Sequence, residues 1–150
     1  MAVTQNGGTQ NGGTQSGGTR SGGTDGGGMR VDVVSVEREI WSGTAREVLA
    51  RTTEGELGIL PGHTSLLGQL AEGGTVRVML AEGGELVAAV HGGFLSVTDG
   101  GVTVLAEGAE LADDIDTGRA QAALERAREA DDAPAQRRAE GRLLAAGQPA

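Results

Sequence analysis

The 150-residue chain has no cysteine, no tyrosine and no lysine. Without cysteine there are no disulfides and no thiol chemistry, a composition that fits a cytoplasmic protein. Without lysine there is neither a Schiff-base amine nor a phosphate-loop amine, and every basic residue is arginine. Trp41 and Phe94 are the only aromatic side chains. A core must therefore be built from Val, Leu, Ile and Ala, which suits a thin sandwich better than a thick multilayer fold. No apolar run approaches the roughly 18 residues of a membrane span. The N-terminus lacks the apolar core of a signal peptide. Membrane association is expected only through a partner.

Basic patches are missing as well. The formal net charge is −9. Residues 29–111 carry twelve acids against five arginines, and residues 112–150 eight acids against six arginines. Nucleic-acid binding needs basic surface and stacking platforms, and docking on anionic lipid needs basic clusters. An acidic body fits a basic protein surface better. Enzyme signatures are absent too: there is no phosphate-loop motif, no CxxC, no HExxH and no GxSxG. The chain reads as non-catalytic.

What is present falls into three parts. Residues 1–28 hold a five-residue repeat, TQNGG, TQNGG, TQSGG, TRSGG, TDGGG. Such a segment buries nothing apolar to offset ordering entropy, so it reads as a flexible, disordered tail, with a tether or docking role as the alternative. Met29 is a second candidate start. Residues 29–111 read as an N-terminal β-sandwich of about ten short strands. Apolar alternation occurs at 30–36, 46–52, 58–60, 75–80, 85–90, 94–98 and 102–107. Turn signals lie between, among them Ser42-Gly43, Gly73-Gly74 and Gly92-Gly93. Residues 112–150 switch to helical period and read as a C-terminal antiparallel two-helix hairpin. Ala120, Ala123, Leu124 and Ala127 form one stripe, and Ala135, Ala139, Leu143 and Ala146 the other. Asp116 or Thr117 caps the first helix, and Pro134 suits the first turn of the second. Gly118 and Gly141 weaken these helices by about 1 kcal/mol each relative to Ala. A seam this thin is expected to dock weakly.

Several clusters could carry chemistry. His63 and His91 lack companion ligands in sequence and read as histidines satisfying loop backbone groups. Glu110, Asp113, Asp114 and Asp116 are read first as dipole-stabilising acids at a helix start, with metal or nucleotide binding as alternatives. Arg119 and Arg126 differ by roughly 20° around the first helix. Arg138 and Arg142 sit four apart on the second. Four guanidiniums around a cleft would suit a polyphosphate, and ordinary pairing with Glu125, Glu129 and Glu140 is the alternative.

Residues 55–63, GELGILPGH, together with GGFLSV at 92–97, VTVLAE at 102–107 and IDTGRA at 115–120, resemble the epsilon subunit of bacterial F-type ATP synthases. The resemblance runs in order over residues 29–146. The repeat tail departs from it. It implies a non-catalytic central-stalk subunit of a proton-translocating rotary ATP synthase, peripheral on the cytoplasmic face of the cell membrane. It implies that the sandwich binds the gamma subunit and the c-ring. The hairpin would extend toward the alpha/beta hexamer and inhibit ATP hydrolysis. No cofactor is required. In some bacterial members the folded hairpin binds a regulatory ATP, and the matching positions here are Glu110, Ile115, Asp116, Arg119, Ala120, Arg126, Arg138 and Arg142. The competing readings are a stand-alone β-sandwich binding module and, less well equipped, a carboxylate-based hydrolase.

Overall fold

The computed structural model describes residues 28–148. The flexible tail expected at residues 1–28 lies outside the described residues except for Gly28.

Seven strands form the body: β1 (Met29–Ser35), β2 (Glu39–Thr52), β3 (Gly55–Ile59), β4 (Leu66–Gln69), β5 (Glu72–Leu80), β6 (Glu85–Thr98) and β7 (Gly101–Leu111). β1 lies parallel to β7 and antiparallel to β2. Neighbouring strands thus run β1–β7–β6–β5–β2 and back to β1. β3 extends the arrangement beyond β2, and β4 pairs with the second half of β6. The result is a β-sandwich in which β2 and β6 each serve two sets of neighbours. β2 pairs β1 through residues 39–45 and β5 through residues 45–50, with a register shift between Ala45 and Glu47.

The strands are fewer and longer than the turn signals suggest. Ser42 and Gly43 do not turn the chain but stay paired to Asp32 and Val31 within β2. Gly92 and Gly93 stay within the 14-residue β6. Their φ values of 71° and 111° bend the strand without ending it. A Cβ on Gly93 would strike the carbonyl of Leu105 on β7, so glycine is needed there by close approach as well as by conformation. Gly73 likewise forms a bulge inside β5.

Alternation puts one apolar set inside. Val31 and Val33, Val76 and Val78, Ala88 and Val90, and Val102 and Val104 meet in a single cluster with Ile59 and Leu95. Each such buried Val or Leu stabilises the fold by about 1.5–3 kcal/mol. Trp41 is only partly buried against this cluster, and Phe94 is exposed.

A 3-10 turn (Ala112–Asp114) leads into α1 (Thr117–Glu129) and α2 (Ala133–Ala145). Asp116 caps α1 by accepting a hydrogen bond from the Arg119 amide at 3.0 Å, and Asp132 caps α2 through the Ala135 amide at 3.1 Å. Pro134 stands in the first turn of α2. Asp131 ends α1 with φ 53°, and the Asp132 amide closes back on the Ala127 carbonyl at 2.9 Å. One aspartate after this left-handed residue therefore finishes one helix and starts the next, which keeps the connector short.

Candidate functional site

The hairpin lies on the outside of the sandwich, and α2 is the helix that touches it. Ala139 and Leu143 of α2 pack with Ala120 and Leu124 of α1, in a cluster separate from the sandwich core. The backbone of α2 passes directly over the β5 bulge. A Cβ on Gly141 would collide with the carbonyl of Gly73, and a Cβ on Gly73 with the carbonyl of Arg137. The helix-weakening glycine at 141 is thus the residue that permits the crossing. Two ion pairs flank it. Arg138 donates Nη1–H to Glu72 Oε1 on β5 at 2.9 Å, and Arg142 donates Nε–H to Glu110 Oε1 on β7 at 3.0 Å.

Beside this crossing a cleft of about 350 Å³ opens between the end of β7, the start of α1 and α2. Seven of the eight positions that the resemblance implies line it: Glu110, Ile115, Asp116, Arg119, Ala120, Arg126 and Arg142. Arg138 does not. It is one turn earlier on α2, where the helix has moved over β5, and its guanidinium is taken by Glu72. Asp114 and Ala123, which are not among the positions the resemblance implies, also line the cleft. Asp114 was visible in the acidic cluster, and Ala123 lies beside Arg119 and Arg126 on the helix face.

The electrostatics of the cleft are balanced. Three carboxylates (Glu110, Asp114, Asp116) face three guanidiniums (Arg119, Arg126, Arg142). Arg142 is held by Glu110, and Asp116 is occupied in capping. Arg119 and Arg126 are exposed and make no ion pair among the described residues. They are the two cations available to an incoming anion, and guanidinium binds phosphate oxygens bidentately. Among the described residues no group of three His, Cys, Asp or Glu side chains is arranged to hold a metal.

The two histidines differ. His63 Nδ1 lies 2.7 Å from the Thr64 carbonyl, the local backbone role its turn suggests. His91 corrects the same expectation. It lies in β6 rather than a loop, is buried, and neither ring nitrogen has a hydrogen-bond partner among the described residues. Burial lowers its pKa, and Arg142 adds to the lowering.

A second surface is apolar. Phe94 of β6 stands opposite Leu105 of β7, which stands opposite Val34 of β1. Phe94 is 51% exposed, Leu105 48%, and nearby Leu67 of β4 72%. A contiguous row of exposed large apolar side chains is a candidate interaction surface.

Known proteins resemble this chain over most of its length. The family described as ATP synthase, delta/epsilon chain, beta-sandwich domain matches residues 28–112. An ATP synthase epsilon chain of Rhodococcus opacus is 56% identical over 117 residues, covering 78% of this chain and 94% of the relative. One of Streptomyces griseus is 53% identical over 117 residues, with the same coverage of 78% and 94%. Among solved structures, a chain in the cryo-EM structure of the Euglena gracilis mitochondrial ATP synthase (OSCP/F1/c-ring, rotational state 1) superposes with a TM-score of 0.64. It is 27% identical and covers 83% of this chain and 81% of its own.

Proposed function

The chain belongs to the ATP synthase epsilon-chain family, non-catalytic subunits of the synthase's central stalk, and on that premise we propose that its hairpin is a nucleotide-sensitive brake on ATP hydrolysis. The single observation that carries this reading is the separateness of the two apolar clusters: the hairpin seam shares no residue with the sandwich core. The sandwich, residues 29–111, acts as the fixed unit, and residues 112–150 as the movable one. The exposed row around Phe94 and Leu105 docks the gamma subunit. The sandwich also rests on the c-ring, and this places the subunit at the cytoplasmic face of the membrane without entering it. No described helix is long and apolar enough to cross a membrane.

In the docked state α2 lies on β5 and β6 and the rotor turns freely. In the extended state the hairpin arginines reach toward the alpha/beta hexamer and oppose hydrolysis. A regulatory ATP in the cleft favours docking, because the cleft needs Glu110 of β7 beside Arg119, Arg126 and Arg142 of the helices. Its influence is limited to its differential affinity for the docked state. The triphosphate meets Arg119 and Arg126. Ile115 and Ala120 offer the apolar wall, and Glu110 and Asp116 offer acceptors for base or ribose hydroxyls.

Removing residues 112–150 is expected to leave the synthase assembled and to raise its ATP hydrolysis severalfold, measured on purified complexes. Unchanged hydrolysis in an assembled complex refutes the brake. Calorimetric titration of the full chain with ATP tests the cleft separately: heat at millimolar ATP that Arg126→Ala abolishes is expected, and no heat removes the ligand.

A further inference from the structure

His91 sits where a histidine is costly. It lies on the β6 face covered by α2, is 7% exposed, and leaves both ring nitrogens without partners among the described residues. An unpaired buried polar group costs about 1–3 kcal/mol. Its neighbours come from three elements. On β5, Glu72 is opposite it in register. On β7, Gly108 is opposite it and Glu110 lies two residues further along the strand, while the Glu107 carboxylate approaches Gly92 beside it. From α2, Arg138 and Arg142 reach over it to Glu72 and Glu110. The imidazole therefore lies between the two ion pairs that fasten the helix to the sheet. Their charges cancel in pairs, and they leave the ring no acceptor of its own.

We propose that His91 is a proton-sensitive latch: neutral, it lets α2 lie on the sheet, and protonated, it drives the hairpin off. The proposal rests on the reading that the hairpin leaves the sandwich, after which its four-residue seam and 13-residue helices no longer keep α2 protected. In the docked state burial lowers the His91 pKa, Arg142 and Arg138 push the same way, and Glu110 and Glu72 oppose them. With α2 lifted, the ring stands on an open sheet face with an ordinary imidazole value of about 6.5. The docked state thus binds the proton less readily than the lifted state. Docking is at full strength above about pH 6.5 and weakens as pH falls toward the lowered docked-state value. No residue of α2, nor His91 itself, belongs to the sandwich core, so the strands hold while the helix leaves. Acidification thereby favours the extended, hydrolysis-opposing arrangement.

The test is amide hydrogen exchange on the full-length chain at pH 7.5 and 5.5, corrected for the intrinsic pH dependence of exchange. In the unaltered chain the protection of α2 relative to the β5 and β6 core amides is expected to fall at the lower pH, by up to about tenfold, the ceiling that proton linkage sets one pH unit below the ordinary imidazole value. His91→Gln, which is neutral at both values, should abolish that fall. His91→Asn serves if the Gln chain loses its sheet protection. Gly141→Ala, whose new Cβ meets the Gly73 carbonyl, should strip α2 of protection at both pH values. Loss of protection in Gly141→Ala with no pH effect in the unaltered chain overturns the latch alone. A pH effect that persists in His91→Gln also overturns it. Full protection of α2 in all chains overturns the movable hairpin together with the latch.

Discussion

The sandwich and the hairpin are built from the same small apolar residues and yet are held in different ways. In the sandwich, Val and Ala from five mutually paired strands close on one another, and Ile59 and Leu95 fill the remainder. Each side chain is supported from several strands at once. In the hairpin, Ala120, Leu124, Ala139 and Leu143 make a seam one layer thick. Its attachment to the sheet comes from a backbone crossing at Gly73 and Gly141 and from two partly exposed ion pairs. Closure around a common interior makes the first region cooperative. A single touching face leaves the second free to separate. A body that stays folded while its appendage moves is what the proposed brake requires.

The sharpest way to break this comparison is to cut the same side chain from each cluster. Leu95→Ala opens a cavity in the sandwich and should lower global stability by about 3 kcal/mol. Urea unfolding should show sheet and helix signals shifting together. Leu143→Ala should weaken the hairpin by about 2 kcal/mol and leave the exchange protection of β5, β6 and β7 unchanged. If Leu143→Ala lowers sheet protection as much as Leu95→Ala does, the two regions are one cooperative unit and the comparison fails.

A second pair uses one substitution at two glycines of opposite meaning. Gly118 is near the start of α1, and a Cβ there would meet only the Asp116 carboxylate at an ordinary 3.4 Å. Gly118→Ala should therefore stabilise the hairpin, by up to about 1 kcal/mol. Gly141→Ala gains the same propensity but loses the crossing over Gly73, at an overpacking cost of about 1–3 kcal/mol. Opposite shifts in α2 protection are the expected readout. A shift of the same sign at both would mean that α2 does not approach the β5 bulge as described.

These cases also show what could be read from the sequence. Period and end signals are local, and the structure has the Asp116 cap, Pro134 in the first turn of α2 and the end of β7 at Leu111 where these signals lie. Whether a glycine pair ends a strand or bends it is decided by the neighbour across the ladder. Gly92-Gly93 therefore looked like a turn and proved to be the bend of one long strand. β4 (Leu66–Gln69) escaped notice because four residues alternating through a glycine give almost no period. The same limit applies to the cleft. Spacing put Arg119 with Arg126 and Arg138 with Arg142, and the first pair lines the cleft together. The second pair is split by the slant of α2 across the sheet, a tertiary angle that i,i+4 spacing does not encode. His91 was misjudged for a related reason, since its sequence neighbours gave no sign that a helix from a distant segment would cover it.

The split between Arg138 and Arg142 gives the smallest and most discriminating prediction. Glu72→Gln and Glu110→Gln each break one ion pair between partly exposed groups. Each should weaken docking by no more than about 1 kcal/mol, and less at high salt. In exchange protection the two variants should look alike. Toward a nucleotide they should not. Glu110 and Arg142 both line the cleft, while Glu72 and Arg138 stand outside it. Glu110→Gln replaces a carboxylate of the cleft with a neutral amide and loosens its hold on Arg142, so it should change ATP affinity directly. Glu72→Gln should change it only through the docking equilibrium, and no more than docking itself changes. Calorimetry on the two chains at one salt concentration compares them. Equal changes in affinity would mean that the cleft contributes nothing beyond holding the hairpin down, and a difference would place the ligand against Glu110 and Arg142.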